Sequence, residues 1–263
     1  MSAPRTPAFV PPSTLDPVVR ALTYPYPAPP HDYLFRGGHA EPVAALSPRE
    51  RNGRVPVLAI GSNRAPEQLQ RKFADMPGAE IAVERVRLPG FDVVHSAHLS
   101  GYAALAATLL QAPGVVAEVC VTWLPPALMD RMHATEGIGT HYDFVAFDGI
   151  GIEVVAGGTM SSAFGYVCRM GALDFGDGPR GLSAVAATGR AHAPLGQREA
   201  QAHLVARLGL QLAVEDFVRQ NAADPALRAR REALLADGAL HFGSPRARVV
   251  VDLQAPLSVG RRA

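Results

Sequence analysis

Lysine is almost absent from this chain: of its 25 lysine and arginine residues only Lys72 is a lysine. An arginine-dominated set of cations usually tracks genome base content, and no function attaches to it. Charge of any kind is sparse, at 19% of residues with a formal net charge of +1. That balance leaves no electrostatic footprint for nucleic acid, and no basic run resembles a membrane-binding patch. Cysteine is limited to Cys120 and Cys168, whose separation suits neither a disulfide framework nor a zinc site. Both sit in apolar, strand-like runs, which predicts buried, inert thiols. No stretch approaches the roughly 20 apolar residues of a spanning helix. The first residues lack the apolar core of a signal peptide, since prolines break every short apolar run there. These absences point to a cytoplasmic, reducing environment.

What the chain does have is length and apolar content. Its 263 residues, 48% of them hydrophobic, can bury a core without a metal or disulfide staple. Residues 1–50 hold nearly half of the 23 prolines, including Pro11-Pro12 and the run Tyr24-Pro25-Tyr26-Pro27-Ala28-Pro29-Pro30. Proline fixes φ and lacks a donor, so this arm is expected to carry neither a helix nor a central strand. Phe9, Val10, Leu22, Tyr24, Tyr26, Tyr33, Leu34 and Phe35 could pin it onto the body or onto a partner subunit.

From Val55 the pattern changes. Val55–Ile60 reads as a buried strand ending at Gly61, and Pro66 suits the first turn of the helix that follows. Residues 81–88 and 91–99 read as two strands around a Pro89-Gly90 turn. Residues 103–110 and 114–123 read as two more, split by Ala112-Pro113-Gly114. A helix opens at Pro125-Pro126 and stops near Gly137. Tyr142–Phe147, Ile150–Val155 and Ala163–Cys168 are strand-like. Past residue 196 the spacing becomes helical over Gln197–Leu208 and Val214–Ala222, with Asp224-Pro225 as an N-cap and first helical residue. Ala247–Leu253 reads as a last strand or an extended tail. The class is α+β.

Two local features carry chemistry. After the strand, Gly61-Ser62-Asn63 allows a sharp turn and a close ligand approach, and its amides can face a carboxylate or a developing oxyanion. At the end of the helix, Glu136 faces the negative end of a helix dipole. That position, with partial burial, favours the protonated form and moves the group toward general acid/base use. Taken singly, each also fits a plain turn or a solvated loop residue. Among the nine histidines, His95 and His98 are expected on opposite strand faces, His133 is spaced to pair with Glu136, and His141 could line a pocket. None reaches metal-ligand specificity. The glycine-rich stretch Gly171–Gly181 reads as a flexible loop near the pocket.

In order, these parts resemble the γ-glutamylcyclotransferase family, whose first strand ends in Tyr-Gly-Ser-Asn and whose later Glu-Gly pair precedes a tyrosine-bearing strand. Here they read Ile60-Gly61-Ser62-Asn63, then Val115–Trp123, Glu136-Gly137, and Tyr142 through Val145, over roughly residues 55–170. The resemblance implies a mixed β-barrel or sheet with short helices. It implies Glu136 as the catalytic acid/base, and a substrate loop of Leu58, Ala59, Ile60, Gly61, Ser62 and Asn63, with Tyr142 on the pocket wall. The family's loop tyrosine is Ile60 here, which removes a hydroxyl from the expected wall. The implied reaction turns a γ-glutamyl amide into 5-oxoproline and a free amine, with no cofactor and no metal.

The expected layout is a proline-rich arm over 1–50, a γ-glutamylcyclotransferase-like domain over 51–190, and a helical C-terminal extension packed on it over 191–263. The expected partner is a small molecule with a γ-glutamyl or related amide group, with no nucleic acid and no membrane, and the arm offers a contact for a homodimer. Two other readings stand beside this one. Glu136 could activate water in an amide or lactam hydrolase on the same scaffold, or the chain could be a non-catalytic binding protein.

Overall fold

The computed structural model describes residues 15–251 and 253; Phe9, Val10 and Pro11-Pro12 lie outside them. The arm corrects the first expectation. It forms helix α1 (Pro17–Leu22), strand β1 (Asp32–Arg36) and strand β2 (His39–Val43). β1 is hydrogen-bonded on both sides, to β2 and to the later strand β4 (Glu80–Leu99). Local reasons are plain. Asp16 caps α1 by accepting from Val18 N at 2.8 Å, Pro17 takes the first helical position, and the next five residues lack proline. Residues 31–41 are also free of proline, and Pro42 falls on β2, which is paired on one side only, where a missing donor is tolerated.

A short helix α2 (Pro48–Arg51) leads to β3 (Val55–Ala59), all five residues of which are buried. Helix α3 (Pro66–Phe73) follows, then β4 and β5 (Leu105–Leu124). β4 and β5 are single strands of 20 residues each, paired antiparallel along most of their length. The breaks expected at Pro89-Gly90 and Ala112-Pro113-Gly114 are register shifts facing each other. Gly90 and Gly114 take the positive φ values there, 83° and 88°. Glycine and proline bend the ribbon at a bulge without ending it.

Helix α4 (Met129–Glu136) precedes β6 (Tyr142–Val154) and β7 (Thr159–Cys168). β5 pairs with β3, β3 runs parallel to β7, β7 pairs with β6, and β6 returns to β4. Five strands therefore close a barrel, the mixed barrel with short helices expected. Alternation along β3 sorts its side chains. Leu58, like Ile60 after it, joins a cluster with Val86, Val121 and Phe147, while Val57 and Ala59 join the cluster that packs α3 and α4 through Leu69, Phe73 and Met132.

Beyond a two-residue strand β8 (Ala187–Thr188), the chain turns helical as α5 (Gln197–Arg207), α6 (Val214–Ala223) and α7 (Pro225–Ala236), and β9 (Ala247–Val249) pairs with β6. Asp224 caps α7, accepting from Leu227 N at 2.9 Å. These helices are bolted to the end of the β4–β5 ribbon. The Gln197 amide accepts from Leu105 N at 3.0 Å and donates to Leu105 O at 2.7 Å, and Gln201 donates to Ala103 O at 2.7 Å. Leu204, Phe217 and Leu235 pack on Ala97, Leu99 and Leu105, and α1 closes the far side, Val18 and Ala21 meeting Val218 of α6. Among the described residues, no helix is long and apolar enough to cross a membrane.

Candidate functional site

The site forms where β3 runs out. Gly61 follows the strand, and a side-chain carbon there would lie 2.4 Å from the Tyr24 hydroxyl and 3.2 Å from the Ala107 methyl. Only glycine lets the loop pass this close. Ser62–Arg64 make one 3-10 turn, and Pro66 starts α3. Along α3 the buried positions are Gln68, Leu69, Lys72 and Phe73, a single helical face. That face turns Lys72 inward. On the opposite side, α4 ends at Glu136, because Gly137 adopts a left-handed conformation at φ 64°.

Glu136 is the hub. Asn63 Nδ2 donates to its Oε1 at 2.9 Å, across 73 positions of sequence. Lys72 Nζ donates to the same oxygen and lies 3.4 Å from Met132 Sδ. The Lys72 side chain is 1% exposed and that of Glu136 14%, so this is a nearly enclosed ion pair. Burial pushes the Lys72 ammonium below its ordinary value, with the Glu136 carboxylate pulling it back up. Asn63 Oδ1 is buried without a hydrogen-bond partner among the described residues.

Three tyrosines surround this hub. Ala107 on β5 holds two of them with its own peptide group, its N–H donating to Tyr24 Oη at 3.0 Å and its carbonyl accepting from Tyr142 Oη at 3.4 Å. Tyr166 lies alongside, hydrogen-bonded to His133 Nδ1 at 2.9 Å. Burial raises the pKa of all three phenols, so they stay protonated. The hydroxyl that the loop lacks at Ile60 is thus brought to Gly61 from the arm, by Tyr24.

Of the residues expected from the sequence, Leu58, Ile60, Gly61, Ser62, Asn63, Glu136 and Tyr142 line one narrow pocket of about 40 Å³. Ala59 is the exception. Strand alternation turns its side chain to the other face, into the cluster with Phe73 and Met132, so it does not line the pocket. The narrow pocket shares Tyr24, Ser62, Glu136 and Tyr142 with a larger cavity of about 610 Å³ that also reaches α1, α3 and α7. His141 lines that cavity, stacked 4.3 Å from His98, and His98 Nδ1 bonds Glu232 at 2.7 Å. His133 turns to Tyr166 and does not pair with Glu136. Gly171–Gly181 lines neither cavity; its first residue is tied to β4 by Ala97 N donating to Gly171 O at 3.0 Å. Both cysteines are free and buried, and desolvation pushes their thiols up, to about 12 for Cys120 and about 11 for Cys168.

Reading the sequence missed Lys72, Tyr24 and Tyr166. Lys72 did leave a signal: the chain's single lysine falls on the apolar face of a short amphipathic helix, where arginine would otherwise be the rule. Tyr24 left none, since it reaches Ala107 across 83 positions.

The closed five-stranded barrel with a strand-end loop facing a helix-terminal glutamate defines the class of architecture. No family model matches the sequence, and no curated protein matches it. Among solved structures, the chain is similar to a γ-glutamyl cyclotransferase at 13% identity, covering 63% of this chain and 86% of that one, with a TM-score of 0.36. It is also similar to an uncharacterised human protein (14% identity, 64% and 88% covered, TM-score 0.37). A third is YkqA from Bacillus subtilis (14%, 67% and 56%, TM-score 0.36). At such scores the likeness carries no argument: the fold rests on the strand pairings of this chain and the chemistry on the site's own residues.

Proposed function

We propose that this protein is a γ-glutamylcyclotransferase-like enzyme that cyclises a γ-glutamyl amide to 5-oxoproline and releases a free amine, with Glu136 as the general acid/base. The observation that carries the reading is the meeting of Asn63 and Glu136, 2.9 Å apart, in a pocket walled by tyrosines. Strand-end loop and helix-end carboxylate have no structural need of each other, and a nearly enclosed carboxylate is a functional candidate.

The substrate's α-ammonium enters beside Glu136. The Lys72 ammonium next to it disfavours a second positive charge, so the α-amine gives up its proton more readily. Glu136 takes that proton. The freed nitrogen attacks the γ-carbonyl carbon of the same molecule, forming the ring C–N bond and a tetrahedral oxyanion facing the Gly61–Asn63 amides. Glu136 then hands the proton to the departing nitrogen, the oxyanion collapses as the original C–N bond breaks, and the surplus proton on the ring nitrogen passes by way of Glu136 to the released amine, which leaves as an ammonium. Nucleophile and electrophile belong to one molecule, so the protein's work is to fold the substrate and carry protons from the attacking to the departing nitrogen.

The test is 5-oxoproline release, followed by mass spectrometry over a panel of γ-glutamyl amides and peptides. Glu136→Gln is expected to lower turnover by roughly 10²- to 10⁴-fold while keeping the Asn63 contact. Near-normal turnover by that variant would remove Glu136 from the mechanism. Release of glutamate in place of 5-oxoproline would make the protein an amide hydrolase.

A further inference from the structure

The larger cavity carries a charge pattern that cyclisation does not use. Arg20 from α1, Arg71 from α3 and Arg228 from α7 all line it. Among the described residues none of the three has a carboxylate within ion-pairing distance. Arg20 stacks on the Tyr102 ring at 3.9 Å, Arg71 Nε donates to Gln68 Oε1 at 3.1 Å, and Arg228 donates to the Asn221 carbonyl at 2.7 Å. The cavity's two carboxylates are both engaged, Glu136 by Lys72 and Glu232 by His98 and the Leu99 amide. Glu67, on the same helix as Arg71, acts on Arg20 and Arg71 only at longer range and does not line the cavity.

Three guanidiniums lining one cavity, none of them in an ion pair among the described residues and the two carboxylates beside them held by other donors, leave positive charge that an anionic ligand would offset. Arg71 shows the strain: burial first, and the Arg20 charge second, push its guanidinium down from the ordinary value. With Arg20, Arg71, Lys72 and Arg228 against Glu136 and Glu232, the lining has an excess of positive charge, and such a cleft concentrates ligands of the other sign. Guanidinium forks match planar or tetrahedral oxyanions in pairs of hydrogen bonds. The volume, about 610 Å³, is that of a metabolite site.

We infer that this cavity receives the amine end of the substrate, and that this end carries a dianionic oxyanion group, a phosphate monoester or a dicarboxylate, held by Arg20, Arg71 and Arg228. The inference rests on the cyclisation reading for its orientation: the γ-glutamyl end lies at Glu136, which both cavities share, so the departing amine points outward to the arginines.

The experiment has two arms. In the first, 5-oxoproline release is compared for γ-glutamyl-ethanolamine, its O-phosphate, γ-glutamyl-glycine and γ-glutamyl-aspartate. The expected kcat/KM order is dianion over monoanion over neutral, with about tenfold separating each step. The phosphate-to-neutral ratio collapses in Arg71→Gln and Arg228→Gln and survives in part in Arg71→Lys. Phosphate leading aspartate, or the reverse, identifies the group. In the second arm, calorimetry follows O-phosphoethanolamine and ethanolamine binding to wild type and both glutamine variants, each checked by circular dichroism for folding. Charge-dependent binding lost in the variants upholds the site even if no panel member cyclises, and that pattern would discard only the reaction. A neutral amine bound or processed as well as its phosphate, or a preference untouched by the arginine substitutions, overturns the inference.

Discussion

Replacing Lys72 by methionine removes one half of a nearly enclosed ion pair, and the structure sets how much that should matter. Two unit charges about 3 Å apart attract by roughly 5 kcal/mol at an effective dielectric near 20. Against this stands a desolvation penalty of several kcal/mol per buried ion. The pair is therefore close to neutral for stability as a whole, but either member left alone is not. With Lys72 1% exposed and Glu136 14%, Lys72→Met is expected to cost about 3 kcal/mol, the low end for a broken buried pair, because the Glu136 edge still meets the cavity. Glu136→Gln should cost a similar amount by stranding the ammonium. For a chain of this size, about 3 kcal/mol lowers Tm by roughly 6–12 °C. The double variant should recover most of either loss, since methionine continues the sulfur-lined wall of Met132. Thermal and urea melts of the four proteins at neutral pH give the coupling energy, expected at about 5 kcal/mol, the two single losses of about 3 less the roughly 1 that the double variant keeps. Additive single losses within about 0.5 kcal/mol would refute the pair's energetic role. The pH dependence offers a second reading. The folded protein holds Lys72 below its unfolded value, so the native state releases this proton first. The stability linked to Lys72 is present in full above the unfolded value, about 10.4, and is lost as pH falls through the folded one. Lys72→Met should flatten that rise.

Three further outcomes follow from the geometry. His95 is buried with its pKa lowered to about 4 by desolvation, its Nε2 bonded to Leu195 O at 3.0 Å; about 3 kcal/mol of stability should therefore be lost as pH falls from about 6.5 through the folded value. Acid titration of His95→Gln, monitored by circular dichroism, should show a flatter limb. Gly61→Ala puts a methyl 2.4 Å from the Tyr24 hydroxyl oxygen but 3.4 Å from the ring carbon bearing it. It should destabilise by about 1–3 kcal/mol, and adding Tyr24→Phe should relieve part of that loss in a melt, although Tyr24→Phe alone costs about 1–2 kcal/mol by stranding the Ala107 amide. Gly137→Ala forces a side chain into the left-handed region at φ 64° and to 3.0 Å from His141 Cδ2; a loss of about 1–2 kcal/mol with weaker 5-oxoproline release from a shifted Glu136 is the expected result.

Local chemistry was written into the sequence and read correctly where it is local. Asp224-Pro225 opens α7, Gly137 ends α4, and the apolar run before Gly61 is a buried strand, because caps, glycine and alternation act within a few residues. The order of loop, glutamate and tyrosine was legible as well, and with it the barrel. The same local rules misled where partners far along the chain decided the outcome. Pro89-Gly90 and Ala112-Pro113-Gly114 look like turns singly, yet facing each other across a long ribbon they are bends. The arm's prolines suggested no regular structure, yet β1 is completed by β4, about 50 positions on. Ala59 was grouped with its neighbours, while the pleat sends it to the other face.

By itself the sequence determined the strand-end loop, the glutamate at a helix terminus and the composition that leaves one lysine. Only the tertiary structure decided that this lysine meets that glutamate, that Tyr24 supplies a hydroxyl beside Ile60, and that Arg20, Arg71 and Arg228 share a cavity. The reason is physical. Backbone preferences are set by neighbours a few residues away, whereas charge pairing and pocket walls depend on which distant surfaces the closing barrel and its docked helices bring into contact.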